Sequence, residues 1–118
     1  MFSTRCHCGA VTLQVRGTVT AYTECNCSLC SRYGARWGYF APADVTITGH
    51  AHLHPYEWGP RTKSLYHCRT CGCITHWQMH APDAPRMGIN LRLADPHLLA
   101  TATPRCFDGA DTGKYIEP

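Results

Sequence analysis

No stretch of these 118 residues approaches the ~20 consecutive apolar residues that a membrane-spanning helix requires. Charge is scarce as well. Asp, Glu, Lys and Arg make up 16% of the chain, and the 11 basic residues stand singly, so the formal net charge of +3 is not gathered into a run. Without a basic stripe, neither nucleic acid nor an anionic membrane is expected as a partner. Linkers, repeats and low-complexity segments are also missing. The expectation is one domain over residues 1–118, because a chain this short cannot stabilise two independent cores. Met1-Phe2-Ser3-Thr4-Arg5 lacks the charged-then-apolar pattern of an export leader, so a cytoplasmic protein is expected.

What the chain does have is cysteine, nine in all. A secreted disulfide scaffold is the first thought, but cysteines two or three residues apart cannot easily face each other at the Cβ separation of about 3.8 Å that a disulfide needs. The count is odd. Tight clusters followed by glycine are how thiolate metal ligands look in a reducing compartment.

Between the clusters the pattern is short and alternating. Ala10–Arg16, Val45–Thr48, Ile74–His80 and Arg86–Leu93 read as strands with period two, and Val19–Thr23, Ala35–Phe40 and Lys63–His67 as further short strands. Glycine and proline bound them. Met87, Ile89, Leu91 and Leu93 are expected on one face, and His50, His52 and His54 on one solvated strand face. Ser31–Gly34 and Asp95–Leu99 are expected as helical turns, Pro55–Pro60 as a turn, and the tail from Thr101 holds the lone Cys106 and a turn at Asp108-Gly109. The sum is an all-β fold with short helical turns only.

Structural zinc takes four ligands in a tetrahedron, usually as close pairs from two segments. Cys6 and Cys8 form one pair, Cys68 and Cys71 the other, with Gly9 and Gly72 following as knuckle glycines. This set closes a loop of roughly sixty residues, a long-range constraint on the unfolded chain. Cys25, Cys27 and Cys30 remain as three thiolates with one open position, the arrangement of a catalytic zinc. Three thiolates leave such a centre with one negative charge, which blunts its power to generate hydroxide and suits an incoming soft thiol. Cys73 either completes this set or is a small buried residue at a strand start, and Cys106 is a free thiol.

Taken together, Cys6-x-Cys8-Gly9, Cys25-Asn26-Cys27-Ser28-x-Cys30, Trp37-x-Tyr39-Phe40, Cys68-x-x-Cys71-Gly72, and more weakly Asn90-Leu91-Arg92 and Asp108-Gly109, resemble the glutathione-dependent formaldehyde-activating (GFA) family. That family shares its domain with the centromere protein V group. The resemblance implies an Mss4-like zinc-pinned twisted sheet. It also implies a structural zinc on Cys6, Cys8, Cys68 and Cys71, and a second, labile zinc on Cys25, Cys27 and Cys30. The family's named activity makes S-hydroxymethylglutathione from glutathione and formaldehyde, a carbon–sulfur lyase reaction.

The expected function is therefore a two-zinc enzyme in which Cys25, Cys27 and Cys30 present a small thiol such as glutathione to formaldehyde or a related aldehyde. Trp37 and Tyr39 are expected to wall the pocket, with Arg92 or Arg32 taking a substrate carboxylate. The alternatives are a non-catalytic zinc-stabilised module that binds nucleic acid or protein, and a zinc or redox sensor whose triplet sheds metal on oxidation.

Overall fold

The computed structural model describes residues 1–116 and contains strands and short helices only. In chain order the elements are β1 (Phe2–Arg5), β2 (Thr12–Val15), β3 (Ala21–Cys25), α1 (Ser28–Tyr33), β4 (Trp37–Phe40), β5 (Val45–Thr48), β6 (Leu53–Tyr56), β7 (Lys63–Cys68), β8 (Ile74–Met79), β9 (Met87–Asn90), α2 (Pro96–Ala100), β10 (Thr103–Phe107) and β11 (Tyr115–Ile116). Strands β1-β2-β5 form a small sheet; β11-β10-β3-β4-β9-β8-β7-β6 form a large one. Pairing is antiparallel except between β3 and β10, which run parallel with Cys25 beside Phe107. No described helix is long and apolar enough to cross a membrane.

Strand side chains alternate between faces, and the large sheet uses both. One face, with Met87 and Ile89, packs with Leu13, Val15 and Leu91 in a core that also contains Cys6 and Cys68. The other face carries Trp37, Leu65 and Trp77 in a second core, against which Cys30 and Tyr39 pack. Each cysteine set thus belongs to its own core. Gly88 on β9 makes the second arrangement possible, because a Cβ there would lie 2.0 Å from Nε1 of Trp77.

The mainly β expectation holds, and its boundaries shift for physical reasons. His50–His52 form a 3-10 turn, so only His54 lies on a strand and the three imidazoles do not share a strand face. Pro55 sits inside β6 and not in a turn; β6 is an edge strand, where the missing N–H is tolerated. Strand β9 stops at Asn90 and Leu91–Leu93 turn as 3-10 helix, so Leu93 does not continue the face of Met87 and Ile89. The tail, to which no strand was assigned, contributes two: β10 adds to β3, and β11 pairs back on β10. Phe2–Arg5, which alternation did not single out, pairs with β2.

Candidate metal centres and adjoining cavities

Strand β1 runs into Cys6 and Cys8, β7 ends on Cys68, and Cys71 lies in the turn before β8. Their four sulfurs all lie within 4.8 Å of one another. Cys6 Sγ and Cys8 Sγ are 3.7 Å apart, and Cys8 Sγ and Cys68 Sγ 3.6 Å. Ligands about 2.3 Å from a tetrahedral metal stand about 3.8 Å from each other, whereas a disulfide needs about 2.05 Å. The spacing is that of a metal set. Val11 N–H donates to Cys6 Sγ at 3.3 Å. The backbone N–H groups of Cys73 and Cys8 draw the Cys71 thiol down to about 5, so a thiolate is favoured before any cation arrives. Cys73 packs half-buried on this core beside Cys71 and does not complete the triplet.

The triplet is assembled by a strand end and a helix start. Cys25 closes β3, Cys27 is the N-cap of α1, and Cys30 lies on its first turn. Their sulfurs also lie within 4.8 Å of one another, and among the described residues no fourth His, Cys, Asp or Glu joins them. Cys30 N–H donates to Cys27 Sγ at 3.2 Å, satisfying a donor that a helix start would otherwise leave free. Cys27 N–H points at Cys25 Sγ at 3.5 Å.

Burial opposes ionisation of Cys27, but the N–H of Cys30 and the neighbouring thiols outweigh it and hold this thiol below the ordinary cysteine value. Burial, then the Cys27 neighbour, pushes Cys30 up to about 12. One thiolate among crowded sulfurs makes the next harder to form. A cation reverses that penalty.

Two further features fit a metal here. The Trp37 indole N–H is buried without a hydrogen-bond partner, and it is the side chain whose presence favours the Cys30 thiolate. Gly109 lies against the triplet so closely that a Cβ would stand 2.6 Å from Cys25 Sγ. Asn26 fastens that loop: its amide donates to Asp108 at 3.0 Å, and its carbonyl oxygen accepts from Ala110 N–H at 3.0 Å.

Cys25 and Cys30 border two cavities. One, of about 320 Å³, is lined also by Glu24, Ser31, Arg92 and Cys106. The other, of about 290 Å³, lies on the second-core face of the large sheet, where alternate residues of six strands converge. Trp37, Tyr39, Trp77, Phe107 and Tyr115 supply its aromatic walls, and Lys63 and Arg86 its cations.

Trp37 and Tyr39 therefore lie together beside the triplet, as the sequence suggested, and Trp37 is a core residue as well. Arg92 is elsewhere. It lines the first cavity and not the aromatic one, and its Nε donates to the Gly34 carbonyl. Arg32 lines a separate cavity with Tyr56 and Trp58, which neither Cys25 nor Cys30 borders. Lys63, Trp77, Arg86 and Tyr115 were missed; the strand reading of β7 and β8 signalled the first two, and nothing in the sequence signalled Arg86 or Tyr115. Ser64 Oγ lies 2.8 Å from His80 Nε2, and Glu57 Oε1 lies 3.6 Å from the same nitrogen. A proton relay needs its partners on different ring nitrogens, so these three do not form one.

Short strands and almost no helix, with two cysteine sets each tied to a different core, define the chain as an Mss4-like β-domain with two possible metal centres. Residues 1–106 match the glutathione-dependent formaldehyde-activating enzyme family, and the chain belongs to that family. The crystal structure of a Rhodobacter sphaeroides protein, a Northeast Structural Genomics target, is similar over 86% of this chain and 98% of its own, at 30% identity and a TM-score of 0.73. No curated protein matches. The family match ends at residue 106, so the segment that carries Phe107, Gly109 and Tyr115 lies beyond it.

Proposed function

We propose that the protein is a two-zinc enzyme of the carbon–sulfur lyase type that adds a small thiol, such as glutathione, to formaldehyde or a related aldehyde. The observation that carries this reading is the triplet: three sulfurs close enough to share a metal, no fourth ligand among the described residues, and two cavities that Cys25 and Cys30 border. In this reading Cys6, Cys8, Cys68 and Cys71 hold a structural zinc and Cys25, Cys27 and Cys30 hold the second. A zinc ion at the triplet supplies the charge that ionises an incoming thiol at neutral pH.

The chain's own residues do the rest. The walls of the cavities place the two reactants within reach of each other. The thiolate sulfur attacks the carbonyl carbon, one carbon–sulfur bond forms, and the carbonyl π pair moves to oxygen. The Tyr39 phenol, which burial pushes up to about 12, is protonated at neutral pH as any phenol is, and from the cavity wall it offers an O–H donor to the developing alkoxide. The proton lost by the thiol returns through solvent, and the product is the simple adduct of the two reactants.

Native mass spectrometry of the reduced, zinc-loaded protein, with glutathione titrated in, tests the reading. Two zinc ions and a thiol adduct are expected, with the adduct lost in Cys27→Ser and glutathione-dependent formaldehyde consumption lost with it. Two firmly held ions with no thiol adduct at millimolar glutathione would return the protein to the binding-module alternative.

A further inference from the structure

Formaldehyde is neutral and has two heavy atoms, yet the aromatic cavity is far larger and carries two cations. Lys63 Nζ stands 4.5 Å from the centroid of the Trp77 ring, and Arg86 Cζ stands 4.3 Å from that of Tyr39. Those two rings are themselves neighbours, 5.9 Å apart and tilted by 56°. Both cations thus rest on one aromatic floor, and no carboxylate lines the cavity. Among the described residues every ion pair lies elsewhere, on Arg16, Arg36 and His80. A ring face holds a cation by only about 0.5–2 kcal/mol, enough to aim it and too little to occupy it. Two cations on one cavity with no carboxylate lining it leave their charge free to attract an anion.

We propose that the aromatic cavity is the subsite for a carboxylate-bearing reactant, and that Lys63 and Arg86 are the specificity-determining cations that receive the carboxylate while the rings pack its carbon body. The inference rests on the proposed function only for what is done with the ligand. The carboxylate can belong to the thiol or to the aldehyde, and the chemistry of recognition is the same. In either case the substrate class is an anionic small molecule with an apolar or planar body, and a neutral reactant of equal size is discriminated against.

Binding can be tested without thiol or aldehyde. Benzoate and its neutral counterpart benzamide are titrated into the zinc-loaded protein while the indole N–H resonances are followed; Trp37 and Trp77 line the cavity and the exposed Trp58 serves as internal control. Benzoate is expected to bind at least tenfold more tightly than benzamide, shifting Trp37 and Trp77 but not Trp58. The double variant Lys63→Met, Arg86→Met is expected to lose that preference with benzamide binding unchanged, and Lys63→Arg, Arg86→Lys to retain it. Equal binding of the two probes, or a preference that survives the methionine pair, would overturn the proposal.

Reaction arms then find the source of the carboxylate. Mercaptoacetate is compared with 2-mercaptoethanol as thiol, and glyoxylate with glycolaldehyde as electrophile, by adduct formation and aldehyde consumption. A preference of tenfold or more in one arm assigns the carboxylate to that reactant. Benzoate selectivity with no reaction in either arm keeps the anion subsite and sinks the enzyme reading.

Discussion

His76 lies on β8, and alternation alone does not say which of the strand's two faces is buried. Its ring is buried at 1% exposure, stacks on Tyr66 at 4.7 Å, and lies 2.8 Å from the Thr75 hydroxyl through Nδ1. Burial, with a smaller contribution from His50, lowers its pKa to about 4. The unfolded imidazole takes up a proton below about 6.5, so between those values the unfolded state binds more protons. Stability is therefore complete above pH 6.5 and falls as pH drops towards 4, by on the order of 3 kcal/mol at most. Urea titrations at several pH values should show this slope in the wild type and its loss in His76→Phe. Acid also protonates the cysteines, but it does so in both proteins, and the difference between them isolates the histidine. Cysteine roles were far more legible than this one. A thiol pair at ligand spacing states its chemistry locally, whereas the burial of a single imidazole is decided by strands distant in sequence.

At the scale of elements, β2, β5, β8 and β9 were legible from period-two alternation, and β4 and β7 as short strands, because each is half or wholly buried against one of two cores. Alternation did not find β10 and β11. Both are largely exposed and hold their places by backbone pairing, which leaves no hydrophobic pattern to read. For the same reason the aromatic cavity was only half visible: Trp37 and Tyr39 come from a legible strand, while Phe107 and Tyr115 come from illegible ones. The floor of that cavity depends on how closely β8 and β9 approach. Gly88→Ala would drive a methyl group into the Trp77 indole, and forced overpacking of this kind costs about 1–3 kcal/mol. Calorimetry of the zinc-loaded variant should show the lowered stability, and displacement of Trp77 should weaken benzoate binding in parallel.

At the scale of the molecule, the four-cysteine set ties the loop between β1 and β2 in the small sheet to the turn between β7 and β8 in the large one, with Cys6 and Cys68 inside the core the sheets share. The triplet lies on the opposite face and joins nothing so distant. A chelator added to the zinc-loaded protein should therefore act in two stages. The triplet's ion is expected to leave first with the far-ultraviolet circular dichroism unchanged, and the second ion only as the chain unfolds, since a structural metal contributes its binding energy to folding. Loss of both ions in one unfolding step would contradict this division.

The parallel seam between β3 and β10 has a consequence for a chain still being made. The four-cysteine set has all its ligands once residue 71 has left the ribosome. Cys25 must wait for Phe107 to pair beside it and for Gly109 to close over its sulfur. Vectorial synthesis thus gives the two candidate centres different birth times: the four-cysteine set can be assembled by a nascent chain, and the triplet is completed only after β10 and the Gly109 loop have emerged.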